Sequence, residues 1–170
     1  QYTGGTTGVP KGAMLTHANV AANVEQAALW FYKADYGRER MMGVLPFFHV
    51  FAMTAVMNMA VRFAFEIIAL PRFDLDQALK VISRKKPHYF PAVPAIYNAI
   101  NNHPKLDQYD LTSLRYCISG GAPLPVEVKK GFEANTGCVV VEGYGLTETS
   151  PVVCANPIEG ENKPGSIGMP

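Results

Sequence analysis

The stretch RYCISGGAPLPVEVKKGFEANTGCVVVEGYG, residues 115–145, decides the fold. It contains two short apolar runs, Arg115 to Ser119 and Cys138 to Glu142, which are separated by a segment with helical signals. Pro125 suits the first turn of a helix, and Gly137 suits its end. Two strands joined through a helix form a right-handed crossover between parallel neighbours. The stretch therefore predicts a β-α-β unit.

The same alternation of apolar runs and amphipathic stretches continues on the N-terminal side of this unit. The further candidate strands are Met41 to Leu45, Phe65 to Leu70 and His88 to Ala92. Asp74 can cap the helix between the last two, and Leu75 and Leu79 share its buried face. Strands that helices cover on both sides are largely apolar, as several of these are. We therefore predict an α/β fold with a mostly parallel sheet and helices on both faces.

A helix is also predicted near the N-terminus. Thr16 can cap it, and an apolar stripe then recurs at helical spacing. The stripe consists of Val20, Val24, Ala27 and Phe31. We expect the helix to end near Tyr36 and Gly37, and the stripe to pack in the core rather than to contact a cofactor.

Composition places the 170-residue chain with globular proteins and gives no sign of a polyanionic partner. Hydrophobic residues make up 48% and charged residues 17%, and the net charge is +1. The basic run Arg84 to Lys86 is short and is typical of a solvated helix end. Because there is no block of like charges, the sequence predicts no nucleic-acid partner.

The cysteines Cys117, Cys138 and Cys154 are odd in number and widely spaced. This pattern predicts neither a disulfide framework nor a metal site, and it fits a reducing cytoplasm. Cys117 and Cys138 lie in apolar runs, where a cysteine usually acts as a small core residue rather than as a nucleophile.

The apolar stretch from Val50 to Phe65 is interrupted by Asn58 and Arg62. It is shorter than the ~20 uncharged residues that span a bilayer, so we predict a buried helix. Residues 1–170 contain no charged start followed by an apolar core and a small-residue cleavage site, which is the pattern of a secretory signal. Both ends of the sequence stop abruptly, and we expect the chain to be a piece of a longer protein.

Three loops at the carboxyl ends of predicted strands carry residues suited to ligand binding. They comprise Leu45 to His49, Ser119 to Pro123 and Glu142 to Thr149. In an open parallel sheet the carboxyl ends of the strands lie along one edge, and ligands bind there. We therefore expect the three loops to surround one site.

Two of these loops suit a nucleotide. Gly120 and Gly121 allow the flat approach of a purine ring, although an ordinary strand-to-helix turn explains them equally well. Tyr144 can stack on a base, and Thr147 can bond a phosphate oxygen. Glu148 can bind Mg²⁺, which takes one or two protein oxygens and fills its shell with phosphate and water. A polar surface turn is the alternative for this last loop.

The first loop ends in His49, which follows two phenylalanines. An imidazole that can charge near neutral pH would orient a carboxylic acid whose apolar tail lies along the following helix. A core histidine is the alternative. His17, His88 and His103 lack comparable neighbours and are predicted to be structural or surface residues.

The N-terminal segment TGGTTGVPKG, residues 3–12, combines glycines and hydroxyls with Lys11. Backbone N–H groups in tight glycine turns, hydroxyls and a lysine together bind phosphate. A Walker A loop is excluded, because its spacing would put Pro10 at the second glycine and Gly12 at the hydroxyl position. A hairpin turn or flexible linker is the remaining alternative.

Together these segments resemble the core motifs of the adenylate-forming superfamily. Residues 3–12 match its AMP-binding signature, and the later motifs follow in the right order and separation. They are PFFHVF at 46–51, SGGA at 119–122, YGLTET at 144–149 and GSIG at 165–168. The resemblance covers the whole chain, and within the superfamily it looks closest to bacterial and archaeal long-chain fatty-acid CoA ligases.

The resemblance implies that ATP activates a fatty carboxylate to acyl-AMP, and that CoA then forms the thioester. The implied phosphate-binding residues are Thr3, Gly4, Gly5, Thr6, Thr7, Gly8 and Lys11, with Thr3 and Glu148 around Mg²⁺. The implied base and acyl contacts are Gly120, Gly121, Ala122, Glu142, Gly143 and Tyr144. Thr147 would hold the α-phosphate, and His49 and Val50 would border the acyl carboxylate. The implied catalytic residues are Lys11, His49, Thr147 and Glu148.

The resemblance also implies how the chain is organised. Residues 1–40 would form the phosphate-binding loop and its helix, residues 41–150 the nucleotide- and acyl-binding subdomain, and residues 151–170 the truncated start of the next segment. The family's ribose-binding aspartate, hinge and adenylation lysine belong to a later region, so we expect these residues alone, without the mobile C-terminal domain, to be inactive. Peripheral contact with a membrane is compatible with a lipid-handling enzyme, although no basic amphipathic helix is evident.

Two other readings stay open. The first is an aryl- or amino-acid-activating enzyme of the same superfamily. An amino-acid activator needs an acidic partner for the substrate ammonium, and Val50 to Val61 contains none. The second is a nucleotide-binding module without chemistry of its own.

Overall fold

The computed structural model describes residues 1–3 and 8–170, and in these residues six strands form one sheet between two layers of helices. The strands are β1 Tyr2–Thr3, β2 Lys11–Gly12, β3 Arg40–Gly43, β4 Glu66–Ala69, β5 Tyr89–Ala92, β6 Tyr116–Ser119, β7 Val139–Gly145 and β8 Val152–Ala155. The α-helices are α1 His17–Ala28, α2 Val50–Ala52, α3 Met59–Phe63, α4 Leu75–Lys85, α5 Pro94–Asn101 and α6 Val126–Thr136. Strands β1 and β2 form a separate antiparallel pair.

The large sheet has the strand order β4-β3-β5-β6-β7-β8. All neighbours from β4 to β7 are parallel, and only β7 and β8 are antiparallel. The prediction of a mostly parallel α/β sheet is therefore confirmed. Strand β8 is not among the predicted strands, since its four residues lie in the range 151–170 that is predicted to begin the next segment.

Alternate side chains on the central strands point to opposite layers of helices. Met42, Phe90 and Val140 pack in one core with α4, α5 and α6. Met41, Tyr89 and Val141 pack in a second core with α1 and α3. Since side chains alternate along a strand, each strand must be apolar on both sides. The predicted helices on both faces are confirmed.

The first helix begins as predicted but ends earlier. The Thr16 hydroxyl accepts a hydrogen bond from the Asn19 N–H at 3.1 Å, which caps α1. The helix then tightens after Ala28 into a 3-10 turn, Leu29–Phe31, well before the predicted end near Tyr36. The tighter turn brings Phe31 into the core, where its ring centroid lies 5.2 Å from that of Tyr89.

The predicted helix from Val50 to Phe65 is present in three parts. Between α2 and α3 the chain forms a π-helix, Met53–Asn58, and the helical run ends at Ala64 in the left-handed conformation. Its buried side faces the sheet, whereas Val61 is 74% exposed. No helix among the described residues is long and apolar enough to cross a membrane.

Cys117 and Cys138 are buried, as expected for core residues.

The side chain of Asn23 joins α1 to β8. Its Nδ2 donates to the carbonyl oxygen of Val152 at 2.8 Å, and its Oδ1 accepts from the Val152 N–H at 3.0 Å. The side chain thus satisfies both backbone groups of Val152 at a sheet edge. Asn23 is 5% exposed, so solvent cannot replace it there.

Replacing Asn23 with alanine should destabilise the chain by about 1–3 kcal/mol, because a buried donor and acceptor of Val152 lose their partner. Urea unfolding monitored by circular dichroism measures the change. Gln77→Ala, which removes an exposed amide from α4, is the control and should change stability by no more than about 0.5 kcal/mol. Equal stability of the two variants would contradict the role given to Asn23.

Gly168 fixes the last residues against β8. Its φ is +90°, and a Cβ built there would lie 2.0 Å from the carbonyl carbon of Ala155. The backbone of Met169 exchanges two hydrogen bonds with Ala155, at 2.9 and 3.0 Å. Glycine is therefore required by close backbone approach as well as by conformation.

Gly168→Ala should cost at least about 1 kcal/mol more stability than Gly165→Ala, because only the first substitution creates overlap with backbone. Gly165 is a matched control: its φ is +76°, yet a Cβ there meets nothing within 4 Å. Thermal unfolding of both variants measures the difference. If the two variants have the same melting temperature, the close backbone approach at Gly168 does not constrain the protein in solution.

Candidate active site

A cavity of about 280 Å³ lies against the sheet at the carboxyl ends of β6 and β7. Nine residues that the sequence singled out line it, and they come from four separate segments. They are Thr3, His49, Val50, Gly120, Gly121, Gly143, Tyr144, Thr147 and Glu148. The expectation that the loops after three strands surround one site is therefore met in the structure, although their individual roles stay predictions.

Some predicted site residues lie elsewhere. Lys11 is exposed on β2, directly across the hairpin from Thr3. Gly8 and Ala122 are also exposed and do not line the cavity. Gly4, Gly5, Thr6 and Thr7 lie outside the described residues, so their phosphate contacts stay a prediction.

Glu142 is buried behind the site and supports one of its loops. It is 9% exposed, and its Oε1 accepts a hydrogen bond from the Leu124 N–H at 3.0 Å. This bond ties the loop after β6 to β7. Glu142 therefore does not line the cavity, contrary to the expectation that it borders the base and acyl channel.

Glycine is required at the two positions after β6 for different structural reasons. A Cβ at Gly120 would lie 3.1 Å from Cζ of Phe51, so this glycine leaves room for the end of an aromatic ring from the adjacent helix. Gly121 has a φ of +79°, which favours glycine. Gly120 is therefore explained at least partly by packing, while Gly121 is exposed at the cavity.

His49 caps α2 and is exposed at the cavity. Its Nδ1 accepts a hydrogen bond from the Phe51 N–H at 3.2 Å. In the neutral ring the proton must then be on Nε2, which is left to donate to a ligand. The backbone nearby is tied to the N-terminus, since the Gln1 amide donates to the Phe48 carbonyl at 2.6 Å. This bond brings the β1–β2 hairpin, and with it Thr3, beside the His49 loop.

The loop after β7 presents Thr147 and Glu148 on a 3-10 turn, Thr147–Thr149. The turn is held from behind. The Leu146 N–H donates to the Pro151 carbonyl and to Thr149 Oγ1, both at 3.1 Å. Because these bonds occupy the backbone and Thr149, the side chains of Thr147 and Glu148 are left to meet a ligand.

The interior of the cavity is apolar. It is lined by Ala27, Trp30, Phe31, Phe51, Ala55, Met59, Val141, Val152, Ala155 and Ile158. From the sequence, Ala27 and Phe31 are predicted to pack in the core and Met59 lies in the predicted buried helix after His49, whereas Trp30 has no predicted role. Their helical spacing was a signal of a buried face, but the pattern does not distinguish a packed face from one that borders a cavity.

Charge is sparse at this site. Among the described lining residues, Glu148 is the only carboxylate, and none is a lysine or arginine. Nor do the described residues contain a cluster of three or more His, Cys, Asp and Glu side chains that could hold a metal. A metal here would have to be held by one carboxylate together with hydroxyls and ligand oxygens, which is how Mg²⁺ binds in nucleotide sites.

The remaining histidines lie outside the cavity, as predicted. The Nδ1 of His88 accepts from the Arg40 N–H at 3.2 Å, and burial lowers the pKa of His88. His103 pairs with Asp76 at 3.0 Å. His17 is exposed at the start of α1.

Several curated CoA ligases are similar to this chain in sequence. A long-chain-fatty-acid–CoA ligase of Bacillus subtilis (strain 168) is 56% identical over 170 residues, which cover 100% of this chain and 30% of that protein. A ligase of the same description from Yersinia pestis is 39% identical over 173 residues, covering 100% and 31%. 4-Coumarate–CoA ligase 1 of Solanum tuberosum is 38% identical over 159 residues, covering 89% and 28%. The chain thus spans about 30% of the length of these relatives.

Solved structures agree in fold. ATP-bound MatB from Rhodopseudomonas palustris superposes with a TM-score of 0.86 at 32% identity, covering 99% of this chain and 33% of that one. The anthranilate CoA ligase AuaEII in complex with anthranoyl-AMP gives a TM-score of 0.89 at 27% identity, with coverage of 99% and 33%.

The family model described as "AMP-binding enzyme" matches residues 1–170, which is the whole chain. Its match agrees with the convergence of Thr3 and the three strand-end segments on one cavity. This chain therefore belongs to the AMP-binding enzyme family.

Proposed function

We propose that this chain forms the nucleotide- and acyl-binding part of an ATP-dependent fatty-acid CoA ligase. In the first half-reaction a carboxylate and ATP give acyl-AMP and pyrophosphate, and in the second the CoA thiolate displaces AMP. One observation carries the proposal. A single cavity joins a polar rim, with His49, Thr147 and Glu148, to an interior without charge that suits an alkyl chain.

The nucleotide would lie at the rim. Gly121, in the loop after β6, and Tyr144, near the end of β7, line the cavity and would flank the adenine, with the glycine leaving room for the ring and the tyrosine stacking on it. The Thr147 hydroxyl would donate to the α-phosphate. Residues 3–8 and Lys11 would hold the departing pyrophosphate through backbone N–H groups, hydroxyls and one positive charge.

Mg²⁺ fits the oxygen donors of this rim. Thr3 and Glu148 line the same cavity and would bind it together with phosphate oxygens and water. When bound, Mg²⁺ would reduce the negative charge on the phosphates. Glu148 without a cation would repel a triphosphate, so the carboxylate itself argues that a metal accompanies the nucleotide.

The fatty carboxylate would lie beside His49 and Val50. The Nε2–H of His49 is available to donate to a carboxylate oxygen and to aim the other oxygen at the α-phosphorus. That oxygen forms the new bond as the bond to the pyrophosphate oxygen breaks. The donors at the rim are held in place before the reaction, which stabilises charge that develops on the phosphoryl oxygens.

Relatives with aromatic substrates in their names make an aryl ligase the second candidate. The 4-coumarate ligase is similar to this chain in sequence, and the anthranilate ligase is similar to it in fold. The Bacillus subtilis relative, at 56% identity, favours a fatty acid instead. The described cavity supplies Glu148 as its one carboxylate, at the phosphate end, and none beside the apolar interior to hold a substrate ammonium. This supports an uncharged tail over an amino acid.

Glu148→Gln should lower kcat for adenylation by about 100-fold and raise the Mg²⁺ concentration needed for half-maximal rate, because the metal loses its carboxylate ligand. The assay is octanoate-dependent ATP–pyrophosphate exchange, in a chimera in which residues 1–170 replace the matching segment of the Bacillus subtilis relative. Glu161→Gln makes the same charge change at an exposed position outside the cavity and is the control. Equal rates for both variants would contradict the assignment of Glu148 as a ligand of Mg²⁺.

Residues 1–170 expressed alone should give no ATP–pyrophosphate exchange above buffer, whereas the chimera should exchange. The chain spans about 30% of the length of its relative, and we propose that groups needed for adenylyl transfer lie in the rest of such proteins. Circular dichroism establishes that the isolated chain is folded before the comparison. Exchange by the folded chain alone would contradict the expectation.

A further inference from the structure

The apolar interior of the main cavity is closed at one end by a wall one side chain thick. Trp30 and Phe31, on the turn after α1, and Ile158, after β8, line the main cavity. The same three residues line a second, smaller pocket of about 10 Å³. They therefore separate the two spaces, and we call them the partition.

The partition lies at the opposite end of the cavity from the polar rim. The rim is at the carboxyl ends of β6 and β7, whereas the second pocket is lined by Tyr89 and Tyr116, the first residues of β5 and β6. A four-residue strand spans roughly 10 Å between its end residues. The cavity thus runs along the face of the sheet, with the phosphate-binding rim at one end and the partition at the other.

Beyond the partition the chain meets solvent through a polar cluster centred on Glu159. The hydroxyls of Tyr32 and Tyr116 donate to its carboxylate at 3.1 and 3.3 Å, and Lys33 pairs with it. The Lys33 ammonium is the main reason that the pKa of Glu159 is lowered. Tyr32 is 63% exposed, so the second pocket opens at the surface.

The three residues of the partition are not equally fixed. Phe31 is 7% exposed, and its ring centroid lies 5.2 Å from Tyr89 and 5.9 Å from Phe63. Ile158 is also 7% exposed. Trp30 is only half-buried, on a short 3-10 turn. Truncating Trp30 should therefore reduce folding stability less than truncating Phe31. The same truncation would open the partition toward the second pocket.

We propose that the partition of Trp30, Phe31 and Ile158 sets the longest acyl chain that this site accepts, an inference that rests on the fatty-acid ligase function proposed above. With its carboxylate at His49, a fatty acid points its methyl end at the partition. Chains that fit short of the wall gain apolar contact with each methylene. Longer chains must overlap packed side chains, and overpacking is costly.

The test uses the chimera with the Bacillus subtilis relative and measures kcat/KM for CoA thioester formation with butyrate, octanoate and palmitate. Trp30→Ala and Ile158→Ala open the partition and should raise the palmitate-to-octanoate ratio by about tenfold or more, since each excluded methylene is worth about that much. Ala27→Phe fills the cavity on the near side of the wall and should lower the octanoate-to-butyrate ratio by a similar factor.

Leu29→Ala is the matched control, because it truncates a large side chain of the same turn that is 73% exposed and lines neither cavity. It should leave both ratios unchanged. Ala27→Phe leaves the partition itself intact and decides the question if the truncated variants prove insoluble.

Two kinds of failure are distinguishable. Length ratios that stay the same in Trp30→Ala and Ala27→Phe, with octanoate still activated, would overturn the partition and leave the fatty-acid ligase function standing. A parent chimera that activates coumarate but none of the three fatty acids would contradict the proposed function itself.

Discussion

Parallel pairing of β6 with β7 is the constraint on which the site depends. The ladder aligns Cys117 with Val140 and Ser119 with Glu142, so β6 ends beside Glu142 and the last residues of β7 extend past it toward the cavity. The loops that follow are then neighbours, although more than twenty residues separate them in the chain. Glu142 reinforces this arrangement, because its carboxylate in β7 accepts from the backbone of the loop after β6. A shift of one residue in this register would move the chemistry of one loop away from that of the other.

The two faces of the sheet serve different ends. On one face α4, α5 and α6 cover the strands with a closed core that includes the edge-on contact of Tyr97 and Phe132 rings, with centroids 4.8 Å apart. On the other face α1 and the α2–α3 run leave a cavity between themselves and β7. The π-helix contributes Thr54 and Ala55 to its lining, in line with the frequent occurrence of π-helical turns at functional sites. The same apolar side chains therefore stabilise the fold and border the ligand space.

The site combines very little charge with firm backbone support. Glu148 and His49 are the ionisable groups at the rim, apart from Tyr144, among the described residues. Their loops are held by hydrogen bonds that use other groups, such as the Leu146 N–H on Pro151 and the Gln1 amide on Phe48. Such fixed donors suit a reaction whose main demand is to orient phosphate and carboxylate. The segment after β7 is itself tied to α1 through Asn23, so the rim and the apolar interior form one supported unit.

The sequence by itself determined the β-α-β alternation, the start of α1 at Thr16 and the positions of the loops, because each follows from local periodicity, capping or turn chemistry. It also supplied the residues that converge on the cavity. Only the tertiary structure decided that α1 stops at Ala28, that β8 joins the sheet, that Glu142 supports a loop and that Trp30 closes the apolar end. These outcomes depend on partners distant in the chain, such as Tyr89 against Phe31 and Val152 against Asn23. An apolar stripe specifies that a face is buried, but the neighbouring elements decide whether it meets a packed core or an open space.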